Sequence, residues 1–161
     1  MASLGEVRQL VELGLGKAAD AITALEAVDH RDQPLVIRTR QDVEELLDHV
    51  STASATQAVP SMIEIRRADD PWAHQVLHAG IGADHGFVRV SGDPEYRTTV
   101  GDPTATGEVV FDYMDNATEV PAREIVPLST VRNILTAFIT HDGDIPAGFP
   151  ELHTGSTPTT T

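Results

Sequence analysis

The apolar spacing changes twice along this 161-residue chain, and that change constrains the fold more than any other feature. At Val43, Leu46, Leu47 and Val50 the steps are three and four, the stripe of a helix. From residue 60 to 114 apolar residues instead alternate with polar ones, as half-buried strands require. At Val131, Ile134, Leu135, Phe138 and Ile139 the helical spacing returns. Strands in a run, bracketed by helices rather than alternating with them, predict an α+β fold with a largely antiparallel sheet.

Local signals set the ends of these elements. Pro34 opens a short strand at Leu35–Thr39. Thr39, with Asp42 three residues on, reads as a helix N-cap; Asp42, Glu44 and Glu45 suit the positive end of the helix dipole and His49 the negative end. The small, polar run STASATQAV, residues 51–59, reads as a linker. Strands are expected where Ile63 and Ile65 alternate with Glu64 and Arg66, and over His74–Ile81. After a turn at Gly82–Gly86, Phe87–Ser91 returns, a weak strand follows at 96–100, and a stronger one covers Glu108–Met114. The last helix starts near Ser129 and stops at His141-Asp-Gly143, and Phe149–Leu152 reads as an edge strand.

The two chain ends stand apart. Residues 3–28 read as an N-terminal helix, with Ser3 and Glu6 in capping-box spacing. Gly14 and Gly16 each weaken it by roughly 1 kcal/mol and make a soft joint. Its small-residue face (Gly14, Ala18, Ala21) is suited to pairing with a copy of itself, giving an expected homodimer. The Thr-rich tail, 154–161, buries too little apolar surface to offset its ordering entropy and is expected to be disordered. The expected organisation is a helical segment at 1–30, one α+β domain at 34–153 and the tail.

Charge narrows the function. Asp and Glu number 25 against 11 Lys and Arg, a net charge of −14. Proteins held to nucleic acid by phosphate contacts need clustered Lys and Arg, and anionic lipid repels an acidic surface. No run reaches the ~20 apolar residues of a membrane span, and the first residues lack the basic-then-apolar order of a secretory signal. The chain has no cysteine. A cytoplasmic protein is the expectation. Residues 98–131 hold Asp102, Glu108, Asp112, Asp115, Glu119 and Glu124 against one base, Arg123. A surface of one sign steers association with its opposite, although a solvated face needs no partner.

Motifs for catalysis fail on geometry. His74 and His78 would share one face of a helix, but in a strand they lie roughly 13 Å apart and cannot share one metal ion. Gly80-Ile-Gly82-Ala-Asp-His-Gly86 is one residue too long for a dinucleotide loop and leads into a strand, so a hairpin is expected. Asp112 with Asp115, and Asp142 with Asp144, lie beside turn residues, where solvated carboxylates are the simpler reading. No G-x-S-x-G elbow is present. No catalytic residue, cofactor or metal is therefore expected. The alternatives are a small metal-dependent hydrolase, using His74, His78 or His85 with Asp84, and an acidic housekeeping interaction module.

Four segments carry a family resemblance. Arg38-Thr-Arg-Gln-Asp-Val-Glu-Glu-Leu-Leu-Asp-His-Val50 resembles the first strand–helix unit of immunity protein family one, from bacterial polymorphic toxin systems. Leu77–Val90 is similar to that family's central hairpin, Glu108–Tyr113 to the strand that follows, and Pro121–Phe138 to its proline-rich entry into the final helix. Members commonly carry a tryptophan after the last proline, where this chain has Phe149 and Leu152. The resemblance implies an α+β protein that neutralises a cognate toxin by binding it, and toxins of this kind are often nucleic-acid deaminases. Such an enzyme needs a basic mouth to hold its polyanionic substrate. The expected contacts are therefore Asp102, Asp112, Asp115, Glu119 and Glu124, presented to toxin Arg or Lys.

Overall fold

A computed structural model describes residues 22–25, 35–67, 75–92, 96–113 and 116–154. Its strands are β1 (Ile22–Leu25), β2 (Leu35–Ile37), β3 (Ser61–Arg67), β4 (Val76–Ile81), β5 (His85–Ser91), β6 (Arg97–Thr98), β7 (Glu108–Tyr113), β8 (Asn116–Pro121), β9 (Val126–Pro127) and β10 (His153–Thr154). The helices are α1 (Arg40–Ala55) and α2 (Leu128–Thr140), with a 3-10 turn at Ala122–Glu124. The fold is α+β, as the change of period predicts.

The sheet runs β10-β6-β5-β4-β3-β1-β2, with β9 on β5 and the β7–β8 hairpin joined to β3. Every pairing is antiparallel except β3 with β7, which meet in parallel at Ser61 and Asp112. One sheet face carries Ile63, Ile65, Leu77, Ala79, Ile81, Val88 and Val90 against Val43, Leu46, Leu47 and Val50 of α1 and Val131, Ile134, Leu135 and Phe138 of α2. The other face is partly covered by the hairpin, where Met62, Phe87, Phe111 and Val120 form a second, smaller core. Phe87 and Phe111 meet edge to face, centroids 4.9 Å apart. Gly80 makes this possible: a Cβ there would lie 2.6 Å from Phe87 Cδ1 and 2.7 Å from Phe111 Cε1.

Helix α1 begins as its sequence predicts. The Asp42 amide donates to Thr39 Oγ1 at 3.1 Å, while the amides of Thr39 and Arg38 donate to Asp42 Oδ2 at 3.0 and 2.9 Å. Its end differs from expectation, because residues 51–55 are helix rather than linker. Ser54 explains the extension. Its buried hydroxyl donates to the Ile81 carbonyl at 2.7 Å and accepts the Ser61 amide at 3.0 Å, tying the last turn to β3 and β4. Helix α2 stops as expected: Asp142 and Gly143 take positive φ of 53° and 86°, and the Gly143 amide donates to the Phe138 carbonyl at 2.7 Å.

Further corrections concern strands. Ile22–Leu25, expected within the N-terminal helix, form β1 and pair with both β2 and β3. Residues 1–21 and 26–30 of that expected helix, and 155–161 of the tail, lie outside the described residues. Thr154, placed at the start of the tail, pairs with Arg97. The edge strand expected at Phe149–Leu152 is displaced to His153–Thr154. The strand β8 has no counterpart in the sequence reading.

The C-terminal loop is held by two buried polar side chains. Arg97 donates to the carbonyls of Ile145 and Pro146, both at 2.7 Å. Gln75 accepts the Ile145 amide at 2.8 Å and donates to its carbonyl at 3.1 Å.

Candidate functional site

The hairpin gathers acid on its outer face. Opposite residues of an antiparallel pair point the same way, so Glu108, Val110 and Asp112 of β7 share a face with Ala117, Glu119 and Pro121 of β8. Phe111 and Val120 point inward. Glu108 and Glu119 are exposed and Asp112 is half-buried. At the centre stands Val110, an exposed apolar side chain directly opposite Glu119. The Glu108 pKa is raised, first by a hydrogen bond shared with Glu119 and then by its charge.

Asp102 lies on the neighbouring loop. Gly101 N–H donates to the Arg123 carbonyl, and Ala122 N–H to the Gly107 carbonyl, so both ends of that loop are tied to the segment after β8. The exposed Asp102 carboxylate accepts the Thr104 hydroxyl at 2.7 Å and amide at 2.9 Å, and these bonds lower its pKa in that order. Asp115 lies outside the described residues.

Glu124 is different from the other expected contacts. It is buried, and its carboxylate accepts Arg89 Nε at 3.1 Å and the Thr98 hydroxyl at 2.5 Å. Its carbonyl accepts the Thr99 hydroxyl at 2.7 Å. Arg89 in turn lies over the Phe87 ring, 5.2 Å from its centroid. This carboxylate fastens the 3-10 turn to β5 and β6 and is not presented outward. The apolar pair that follows it, Ile125 and Val126, is the sequence signal of that burial.

The described histidines do not assemble into a centre. His78 sits in β4 beside Glu64 of β3, Nε2 3.5 Å from Oε1, with its ring edge-on to Tyr113. The hydrogen bond with His78 is the largest cause lowering the Glu64 pKa; burial opposes it, and Arg66 and the Tyr113 hydroxyl assist. The Tyr113 pKa is raised, first by burial and then by the Glu64 charge. His85 and Asp84 form an exposed pair, 2.7 Å apart, beside the β4–β5 turn. His74 lies outside the described residues; among those described, no three His, Asp or Glu side chains come together as metal ligands. The Gly80–Gly86 segment is the expected hairpin, with Ile81 opposite Gly86. Asp142 and Asp144 are exposed beside the end of α2.

A shallow groove of about 260 Å³ runs between α1 and α2, lined by Gln41, Glu44, Glu45, Asp48 and Arg132 among others. Its one lining base is engaged, with Arg132 Nε 2.8 Å from Glu44 Oε1. No described helix is long and apolar enough to cross a membrane.

The fold is thus an α+β domain with two apolar clusters, a part-buried Arg89–Glu124 pair and carboxylates set outward on the β7–β8 hairpin. The family model described as Immunity protein Imm1 matches residues 31–153, more than half of the sequence, and the chain belongs to that family. The match spans β2, α1, β3 to β9 and α2, and ends at the first residue of β10. No curated protein matches the chain. Membership carries an immunity role and a toxin protein as the partner, and it implies an inhibitor rather than a catalyst.

Proposed function

We propose that this immunity protein neutralises a nucleic-acid-directed toxin by covering its cationic substrate site with an acidic surface to which Asp102, Asp112 and Glu119 belong, and to which Asp115 is assigned by sequence alone. The observation that carries this reading is the outer face of the hairpin. Glu108, Asp112 and Glu119 share it without a base on the same face, on a chain of net charge −14. An enzyme that acts on nucleic acid must hold phosphates, so its mouth is basic, and an acidic inhibitor competes for the same charges. The buried Glu124 has no part in this contact. The protein acts in the cytoplasm, where an incoming toxin meets its target.

Attraction of this kind accelerates encounter and is weakened by salt, because the Debye length shrinks to about 8 Å near 0.15 M. Stopped-flow mixing with the cognate toxin, in a catalytically inactive form, tests it. The association rate is expected to fall steeply from low to physiological salt. A rate that stays flat, or a complex in which the toxin still binds its substrate, overturns the reading.

A further inference from the structure

Of the strands that pair on one side among the described residues, β2 has three residues and β9 and β10 two each. Short edges of this kind resist pairing with other chains. The remaining one, β8, has six residues and pairs only with β7 among the described residues. The direction of its free side follows from two hydrogen bonds. Asp112 N–H donates to the Pro60 carbonyl at 2.8 Å, away from β8, and Ala122 N–H donates to the Gly107 carbonyl at 2.9 Å. The Asp112–Ala117 pair is therefore of the non-hydrogen-bonded kind, and alternation makes Val110–Glu119 and Glu108–Pro121 the same. The peptide groups of Ala117 and Glu119 consequently point outward from the edge. Pro121, which has no N–H to offer, occupies the third outward position, where it forfeits no bond within the hairpin.

The side chains select what can pair there. Glu119 stands diagonal to Glu108, and the two carboxylates oppose each other unless a proton or a cation lies between them. A second copy of this chain, itself at −14, would bring further carboxylates to the same face. A strand bearing Lys or Arg relieves the repulsion and can rest its apolar neighbour on Val110. We infer that the toxin docks by adding a strand to β8, with its backbone on Ala117 and Glu119 and a cationic side chain between Glu108 and Glu119. This rests on the proposal that the partner is a cationic toxin, and specifies where and by which bonds it is gripped.

Two measurements with a catalytically inactive form of the cognate toxin test it. First, hydrogen exchange on the unmodified protein reads the outward amides: those of Ala117 and Glu119 are expected to slow on toxin binding, and unchanged exchange overturns the inference. Second, Ala117→Pro removes one outward N–H but no bond within the hairpin, and is expected to weaken the complex roughly tenfold through faster dissociation. A folded Ala117→Pro protein that binds at full affinity overturns strand addition. The salt dependence of association, measured on the same samples, then remains as the separate test of charge-driven neutralisation.

Discussion

Single side chains decide where elements meet, and Ser54 is the clearest case. The sequence around it, small and polar, carries the signature of a linker, because nothing in STASATQAV shows that one hydroxyl will be buried. Its two bonds, to the Ile81 carbonyl and from the Ser61 amide, make the residue part of the core. Ser54→Ala would leave both backbone groups buried and unpaired. A loss of about 1–3 kcal/mol in unfolding free energy is expected, read by urea titration. The same limit applies to Glu124, Arg97 and Gln75. Each is a polar residue whose burial depends on partners 20 or more residues away, and local spacing carries no record of them. Asp42 lies at the other extreme, since its capping partner is three residues away and the pattern alone identifies it.

At the scale of elements, periodicity located both helices and the strands β3, β4, β5 and β7, because each has one clearly apolar face. It missed β8, whose Asn-Ala-Thr-Glu-Val-Pro buries only Val120 and so shows no alternation. It misread β1 because Ile22 and Leu25 also fit helical spacing, and pairing with β2 and β3 decides the matter. The candidate surface was legible as a run of acid, but its division into outward Glu119 and inward Glu124 required the hairpin's register for the first and the distant partners Arg89 and Thr98 for the second. The contact between the sheet and this hairpin has its own pH response. Glu64 has its pKa lowered by the His78 hydrogen bond, so the folded state favours its ionised form more than the unfolded chain does. That contribution is present above the ordinary value of 4.5 and is lost as pH falls through the lower folded value. Glu64→Gln is expected to flatten this part of the acid unfolding profile, measured as denaturant midpoints between about pH 5 and pH 3. An unchanged profile would remove Glu64 from the account.

For the whole molecule, a net charge of −14 acts on stability as well as on association, and with opposite sensitivity to salt. Self-repulsion works against the compact state, so screening should raise the thermal midpoint between about 0.01 and 0.15 M salt while it slows capture of the toxin. Calorimetry at the two salt concentrations checks this, and a midpoint that falls with salt contradicts it. The parallel junction between Ser61 and Asp112 bears on a different property, the order of assembly. Its partners are 51 residues apart in the chain, whereas β3, β4 and β5 are successive neighbours joined by short connections. On a ribosome, the Gly80 notch and the Phe87 ring are therefore made before Phe111 exists to cover them. That leaves an interval in which a nascent apolar surface depends on a chaperone, or on speed, to avoid capture by its neighbours.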